Sequence, residues 1–234
     1  MDSRIVYEDD DVLVCEKAAG EAVQSSKIGE KDLESELRSY LKRKGSDPYL
    51  AIVHRLDQPV RGLLVFAKTR EAAANLSKQV TRGETGMGKE YRATVYGRMP
   101  DTKGVLEDLM LKDGRSGVSR VLSEEEKEAC IADEGRGCGA LGGAKKARLS
   151  YEVIEEGEKT QTLLIRLDTG RFHQIRAQLA AAGAPILGDR KYGNDESLRF
   201  AEDKGIGGIE LCACRLVFKH PKDGRKMEFV IDKK

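Results

Sequence analysis

The chain has 234 residues, 35% of them charged and 39% hydrophobic, with no tryptophan; that is length enough for one large domain or two small ones. With 41 basic against 40 acidic residues its formal net charge is +1, which argues against a protein that coats nucleic acid by bulk charge and turns attention to local basic clusters such as Arg55, Arg61, Lys68 and Arg70. No run approaches the about 18 apolar residues of a membrane helix, the first residues lack a signal-peptide pattern, and five scattered cysteines (Cys15, Cys130, Cys138, Cys212, Cys214) read as reduced thiols in a cytoplasm, without metal-ligand spacing.

In chain order, Ile5 to Lys17 predicts a hairpin. Ile5-Val6-Tyr7 and Val12-Leu13-Val14-Cys15 flank an acidic run, Glu8-Asp9-Asp10-Asp11, which lacks calcium-loop spacing and reads as a solvated turn. Asp32 to Lys44 predicts a helix with Leu33, Leu37, Tyr40 and Leu41 as its apolar stripe, a basic end and Gly45 to close it. Next comes a polar cluster, His54-Arg55-Leu56-Asp57, between Ala51-Ile52-Val53 and Leu63-Leu64-Val65-Phe66-Ala67. The second run reads as a buried strand, with Gln58-Pro59 and Arg61-Gly62 as turn punctuation. A carboxylate and a guanidinium on a loop leading into a core strand stand where catalytic groups concentrate. Taken alone, they also describe a structural ion pair.

Thr69 is a predicted cap for a helix carrying Ala72, Ala73, Leu76 and Val80 and ended by Gly83. Gly88 to Gly97 predicts a strand with Tyr91, Ala93 and Val95 on one face, and Tyr91 fits either core or site. Glu124 to Lys146, charged and then glycine-rich, predicts a mobile excursion. Leu149-Tyr151-Val153 and Leu163-Ile165-Leu167 alternate as a hairpin turning at Glu156-Gly157-Glu158. Ile209 to Phe218 and Met227-Phe229-Ile231 predict two further strands about a turn at Pro221 to Gly224. Hairpin-linked strands with few helices imply an α+β fold with a mostly antiparallel sheet.

A second constellation, Leu167 to Arg176, runs from strand into helix. Thr169 is its predicted cap, Phe172, Ile175 and Leu179 fall at core spacing, and the helix ends near Gly183 with Pro185 beyond. A helix start carrying Gly170 and Arg171 offers amide donors and positive charge suited to a phosphate. Arg176, among apolar neighbours, either reaches back to solvent or needs a carboxylate, for which Asp57 is the natural candidate.

Five segments, in order, resemble a pseudouridine synthase of the RluA type. They are Ile5 to Val14, His54-Arg55-Leu56-Asp57 with Gly62 to Thr69, Lys89-Glu90-Tyr91-Arg92-Ala93, Thr169-Gly170-Arg171-Phe172-His173-Gln174-Ile175-Arg176, and Pro185-Ile186-Leu187-Gly188-Asp189-Arg190-Lys191-Tyr192-Gly193. The resemblance spans nearly the whole chain. It implies one catalytic domain over residues 1–234, without an N-terminal accessory RNA-binding domain, built on a central mixed and largely antiparallel sheet with flanking helices and a cleft across it. It implies isomerisation of uridines in structured RNA, ribosomal or transfer, by a cytoplasmic monomer with no cofactor and no metal. Asp57 matches the catalytic aspartate, a nucleophile toward sugar or base that a neighbouring Arg keeps ionised. Arg176 matches that partner, and Tyr91 the tyrosine that packs on uracil and takes part in proton transfer. Leu187 matches an aliphatic pocket residue, and Arg55 the arginine that fills the gap left by a flipped uridine. His54 and Arg171 fall in the same motifs and are taken as substrate-binding.

Where relatives carry Lys-Pro-x-Gly, this chain has Lys17-Ala18-Ala19-Gly20, so its turn lacks the proline's rigidity. A non-catalytic RNA-binding or ribosome-assembly protein that kept the fold is the competing class, and the joint presence of Asp57, Tyr91 and Arg176 weighs against it. A glycoside or nucleoside hydrolase would want a second carboxylate flanking the bond, and none stands out near Asp57.

Overall fold

Apolar runs of the kind at Leu63 to Ala67 require cover on both faces, and the chain forms two compact units, Met1–Tyr91 with Leu211–Lys234 and Arg92–Glu210. The architecture is taken from a computed structural model, which describes residues 4–25, 31–45, 49–81, 86–132 and 143–231.

The first unit contains β1 (Ile5–Glu8), β2 (Val12–Lys17), β3 (Ala51–Ile52), β4 (Arg61–Ala67), the start of β5 (Gly88–Tyr96), β10 (Leu211–Lys219) and β11 (Lys226–Val230), with helices α1 (Leu33–Arg43) and α2 (Arg70–Thr81). Its strand order is β1-β2-β4-β10-β5, with β3 on β4 and β11 on β10. β10 lies parallel to β4, while β1 with β2, β2 with β4, β3 with β4 and β10 with β11 are antiparallel, so the sheet is mixed. Residues 62–67 of β4 are all buried, and Leu63 and Val65 share a core with Val12, Val14, Leu76, Leu216 and Phe218. Gly62, at φ 145°, is required where β4 meets β10, because a Cβ there would lie 2.5 Å from that of Ala213.

Helices α1 and α2 form where the sequence places them, each with a side-chain cap. Asp32 accepts from the Ser35 amide at 2.7 Å, and Thr69 Oγ1 from the Ala72 amide at 3.1 Å. Leu33, Leu37 and Leu41 are buried, while Tyr40 sits at the edge of the stripe and donates its hydroxyl to Glu8. The acidic turn is not simply solvated. Glu8 also accepts from Lys44 and Lys68, and Asp9 accepts from the Asp11 and Val12 amides and from the Tyr7 hydroxyl. Ligand atoms of Asp9, Asp11 and His220 lie within 4.8 Å of one another, yet Asp9 Oδ2 is already engaged with Tyr7 and with His220 Nε2 at 2.9 Å. The turn is a hydrogen-bonded knot that fixes the hairpin.

The second unit contains the rest of β5, then β6 (Lys103–Asp113), β7 (Val118–Val121), β8 (Lys145–Glu156) and β9 (Thr160–Leu167), with α3 (Glu124–Ala132), α4 (Gln174–Ala181) and α5 (Asp195–Asp203). Its order is β5-β9-β8-β6-β7, and β6 with β7, β6 with β8 and β8 with β9 pair antiparallel. β6, β7 and α5 have no counterpart in the sequence reading. β6 is half exposed along its length, so its alternation is diluted by charge, although the turn residues between Asp113 and Gly117 mark the hairpin. α3 occupies the charged start of the expected excursion, and the glycine-rich residues 133–142 lie outside the described residues. α3 opens with a capping box: Ser123 Oγ accepts from the Glu126 amide at 3.3 Å, and Glu126 accepts from the Ser123 amide at 2.9 Å.

Two expectations for α4 fail. Its N-cap is His173, at φ 53° and without a side-chain cap bond. Thr169 instead receives the Arg148 amide at 2.8 Å and contacts Gln174 Oε1, because the chain makes one more turn before the helix begins. That extra turn swings Phe172 outward to 39% exposure, while Ile175 and Leu179 stay buried.

Candidate active site

The loop between β3 and β4 carries His54, Arg55 and Asp57. Arg55 is exposed, His54 buried and Asp57 half-buried. His54, Arg55, Gln24, Ile52 and Val53 line an open concavity of about 350 Å³. The Val65 amide donates to His54 Nε2 at 3.3 Å, so the neutral ring carries its proton on Nδ1. Burial, reinforced by the Lys89 charge, holds this ring neutral, with its pKa pushed down from 6.5 to about 3. His54 is therefore a fixed neutral wall of the concavity.

The linkage has a definite sign. The unfolded chain takes up a proton at His54 as pH falls through 6.5, whereas the folded chain does so only near 3. The stabilisation is complete above pH 6.5 and is lost between 6.5 and about 3. Lowering the pH to about 5 should cost about 2 kcal/mol from this group. His54→Gln keeps an acceptor for Val65 and does not titrate, so urea unfolding at neutral and acid pH should show a correspondingly shallower loss in the variant.

Asp57 lies in a tight turn, closed by the Val60 amide donating to its carbonyl at 3.0 Å. Two side chains of the same unit feel its charge. Tyr91, on β5 and 6% exposed, has its hydroxyl pKa raised by burial, then by Asp57, then by Cys214. Lys17, at the end of β2, is fully buried, with its pKa pulled down to about 8 by burial against the opposing pull of Glu21 and Asp57. Its ammonium donates to the carbonyls of Ala18, Glu21 and Gln58 at 2.8, 2.7 and 2.9 Å. The Gly20 amide donates to the same Gln58 carbonyl at 2.9 Å, and Gln58 Nε2 to the Gly20 carbonyl at 3.0 Å. Three carbonyls gathered on one ammonium supply the rigidity that the missing proline would have given. Lys17 was overlooked in the sequence because a strand-end lysine normally faces water.

In the second unit Arg176 does not reach solvent. It is 4% exposed, donates through Nε and Nη2 to the two oxygens of Asp189, each at 2.7 Å, and lies over the Tyr192 ring. Asp189, unassigned in the sequence reading, also accepts from the Lys191 and Tyr192 amides. Its signal was a buried-charge requirement at Arg176 with a second acidic residue nearby in sequence. Leu187 is 2% exposed and held by its own backbone, its amide donating to Thr94 O and its carbonyl receiving the Glu210 amide, both at 2.9 Å. Gly188 follows at φ 70°, where any Cβ would strike the Gly208 carbonyl. Arg171 lies in the turn before α4. It is exposed and donates through Nε to Lys146 O, and its amide is taken by Gln174 Oε1 rather than offered to a phosphate.

Solved structures place the fold. The chain is similar to human RNA pseudouridylate synthase domain containing 4, with a TM-score of 0.75 and 18% identity, covering 100% of this chain and 89% of that one. The architecture is the α+β fold of pseudouridine synthases. Residues 11–181 match the model of the RNA pseudouridylate synthase family. Ribosomal large subunit pseudouridine synthase D of Zymomonas mobilis is 33% identical over 233 residues, covering 96% of this chain and 67% of that protein. Ribosomal large subunit pseudouridine synthase C of Buchnera aphidicola is 29% identical over 227 residues, covering 96% of this chain and 65% of that protein. This chain belongs to the RNA pseudouridylate synthase family, and it spans about two thirds of the length of these curated relatives.

Proposed function

We propose that this chain is an RNA pseudouridine synthase acting on uridines of structured RNA, with ribosomal RNA the first candidate because the relatives are named for it. The observation that carries the reading is a carboxylate, Asp57, on a turn whose next carbonyl, that of Gln58, is held by the buried Lys17 ammonium, with its charge felt by the buried Tyr91 hydroxyl. The reaction is an isomerisation. The C1′–N1 bond of uridine breaks, a C1′–C5 bond forms, C5 loses a proton and N1 gains one, so atoms and electrons balance without an oxidant, metal or cofactor.

Asp57 is the nucleophile toward sugar or base. Tyr91, with its hydroxyl pKa raised, stays protonated at neutral pH, so it packs on the detached uracil and donates a hydrogen bond more readily than it takes the C5 proton. Arg176 and Leu187 are the second unit's members of the family set, and His54, Arg55 and Arg171 bind RNA. Residues 1–234 work as one catalytic domain and as a cytoplasmic monomer. Among the described residues no helix is long and apolar enough to cross a membrane.

Lys17 makes this reading pH-sensitive. Raising the pH through about 8 removes the positive charge facing Asp57, so activity should fall there. Stability should not fall with it, because between about 8 and 10.5 the unfolded chain holds that proton more tightly than the folded one. Lys17→Met should be slow at every pH and lack the alkaline limb. A pH–rate profile with parallel unfolding measurements checks this.

The test of function is to incubate the purified chain with unmodified ribosomal and transfer RNA and map pseudouridine chemically. New pseudouridine at discrete positions is expected, and RNA bound without any modification would overturn the reading.

A further inference from the structure

We propose that Phe172 is a stacking platform for an unpaired RNA base, with Lys112 and Arg171 receiving the flanking phosphates. This rests on RNA being the substrate and adds where an unpaired nucleotide is gripped. Of the exposed large apolar side chains among the described residues, Phe172 is the only aromatic one, at 39% exposure. It is also held rigidly. The His173 imidazole stacks on it with centroids 3.8 Å apart and planes at 21°. His173 Nδ1 meets the Tyr192 hydroxyl at 2.9 Å, and that hydroxyl accepts the Ser119 amide at 2.7 Å.

His173 is the only non-glycine residue with positive φ among the described residues, and the strained turn it makes is what presents Phe172 outward. The imidazole fills one face of the phenyl ring. Lys112 Nζ, 4.5 Å from the centroid, therefore lies over the other. A base arriving on that face displaces the ammonium toward its own phosphate, exchanging a cation–π contact for stacking plus a charge pair. Exposed Arg171 stands next in sequence, and Lys191, on the segment that carries Tyr192, reaches the carbonyl of Gly117 in the β6–β7 turn. An aromatic face preordered by packing and bordered by cations suits an unpaired nucleotide better than an apolar protein side chain, which would leave Lys112 and Arg171 without anionic partners.

The test is fluorescence anisotropy of a short unstructured RNA oligonucleotide with the intact chain, at several salt concentrations. Phe172→Ala should weaken binding about 5- to 150-fold with the salt slope unchanged. Lys112→Ala should lower the slope of log affinity against log salt by about 0.7. Phe172→Trp should retain affinity, and Phe172→Leu, which keeps apolar bulk without a π-face, should lose it. Equal binding by Phe172→Ala, or wild-type binding by Phe172→Leu, would overturn the platform. The proposed activity is read separately, on unmodified ribosomal and transfer RNA. A chain that makes pseudouridine with Phe172→Ala binding unchanged loses only the platform. Phe172-dependent binding without any pseudouridine keeps the platform and rejects the activity.

Discussion

Asp57→Asn is expected to slow pseudouridine formation on the order of 10⁴- to 10⁶-fold, the scale on which enzymes lose activity when a nucleophile is removed. Asparagine keeps the shape of the side chain and one oxygen acceptor, and the turn that holds it is closed by the backbone, through the Val60 amide and the Gln58 carbonyl. Stability should therefore move by no more than about 1 kcal/mol, as for other conservative changes outside the core. The variant also carries an internal reporter. Removing the Asp57 charge withdraws one of the causes that raise the Tyr91 hydroxyl, so its ionisation should shift downward in an ultraviolet titration. Nucleoside analysis of treated RNA, with a thermal melt and the tyrosine titration, measures all three. Full activity in a folded Asp57→Asn chain would remove Asp57 from the chemistry.

Asp189→Ala is expected to destabilise the protein by about 3–5 kcal/mol, the cost of breaking a buried ion pair by removing one partner. Arg176 loses two bonds of 2.7 Å, and the Lys191 and Tyr192 amides lose their acceptor. Against a typical total of about 5–15 kcal/mol, that change should be visible as partial unfolding at ordinary temperature. Replacing both members, Arg176→Met with Asp189→Leu, removes the stranded charge and should recover most of the loss. That double variant should be folded and inactive, which separates the structural work of the pair from the catalytic role proposed for Arg176. Urea unfolding of the two variants and the wild type gives the comparison. A double variant no more stable than Asp189→Ala would mean that the pair contributes through something other than charge compensation.

The residues that sequence made legible are those whose chemistry is unusual for their position. An arginine inside an apolar helix violates the usual patterning, so Arg176 stood out, whereas Asp57 drew notice as a carboxylate beside a guanidinium on a loop entering a core strand and took its proposed role from the family resemblance. The helices at Leu33–Arg43 and Arg70–Thr81 were legible because start and apolar stripe agree; the terminator expected for the second, Gly83, lies outside the described residues. Lys17 and Asp189 were not legible, because no local pattern names the partner that buries a charged side chain: Asp189 holds Arg176, 13 positions away. Lys17 finds Gln58 41 positions away. Phe172 misled by its spacing, since helical periodicity has meaning only once the helix has begun, and the His173 turn delays that start. The same delay moved the cap from Thr169. β6 was missed because a half-exposed strand replaces apolar residues with charge and weakens the period-two signal.

Pseudouridine formation exchanges the C5–H bond of uridine for a C5–C1′ bond, so the C5 hydrogen must appear in water. Ribosomal and transfer RNA tritiated at uridine C5, incubated with the purified chain, therefore tests the central claim most directly. The expected result is one tritium released per pseudouridine found in the digested RNA, with release abolished in Asp57→Asn. RNA bound by the wild-type chain with no tritium released, or release by Asp57→Asn at the wild-type rate, would contradict it.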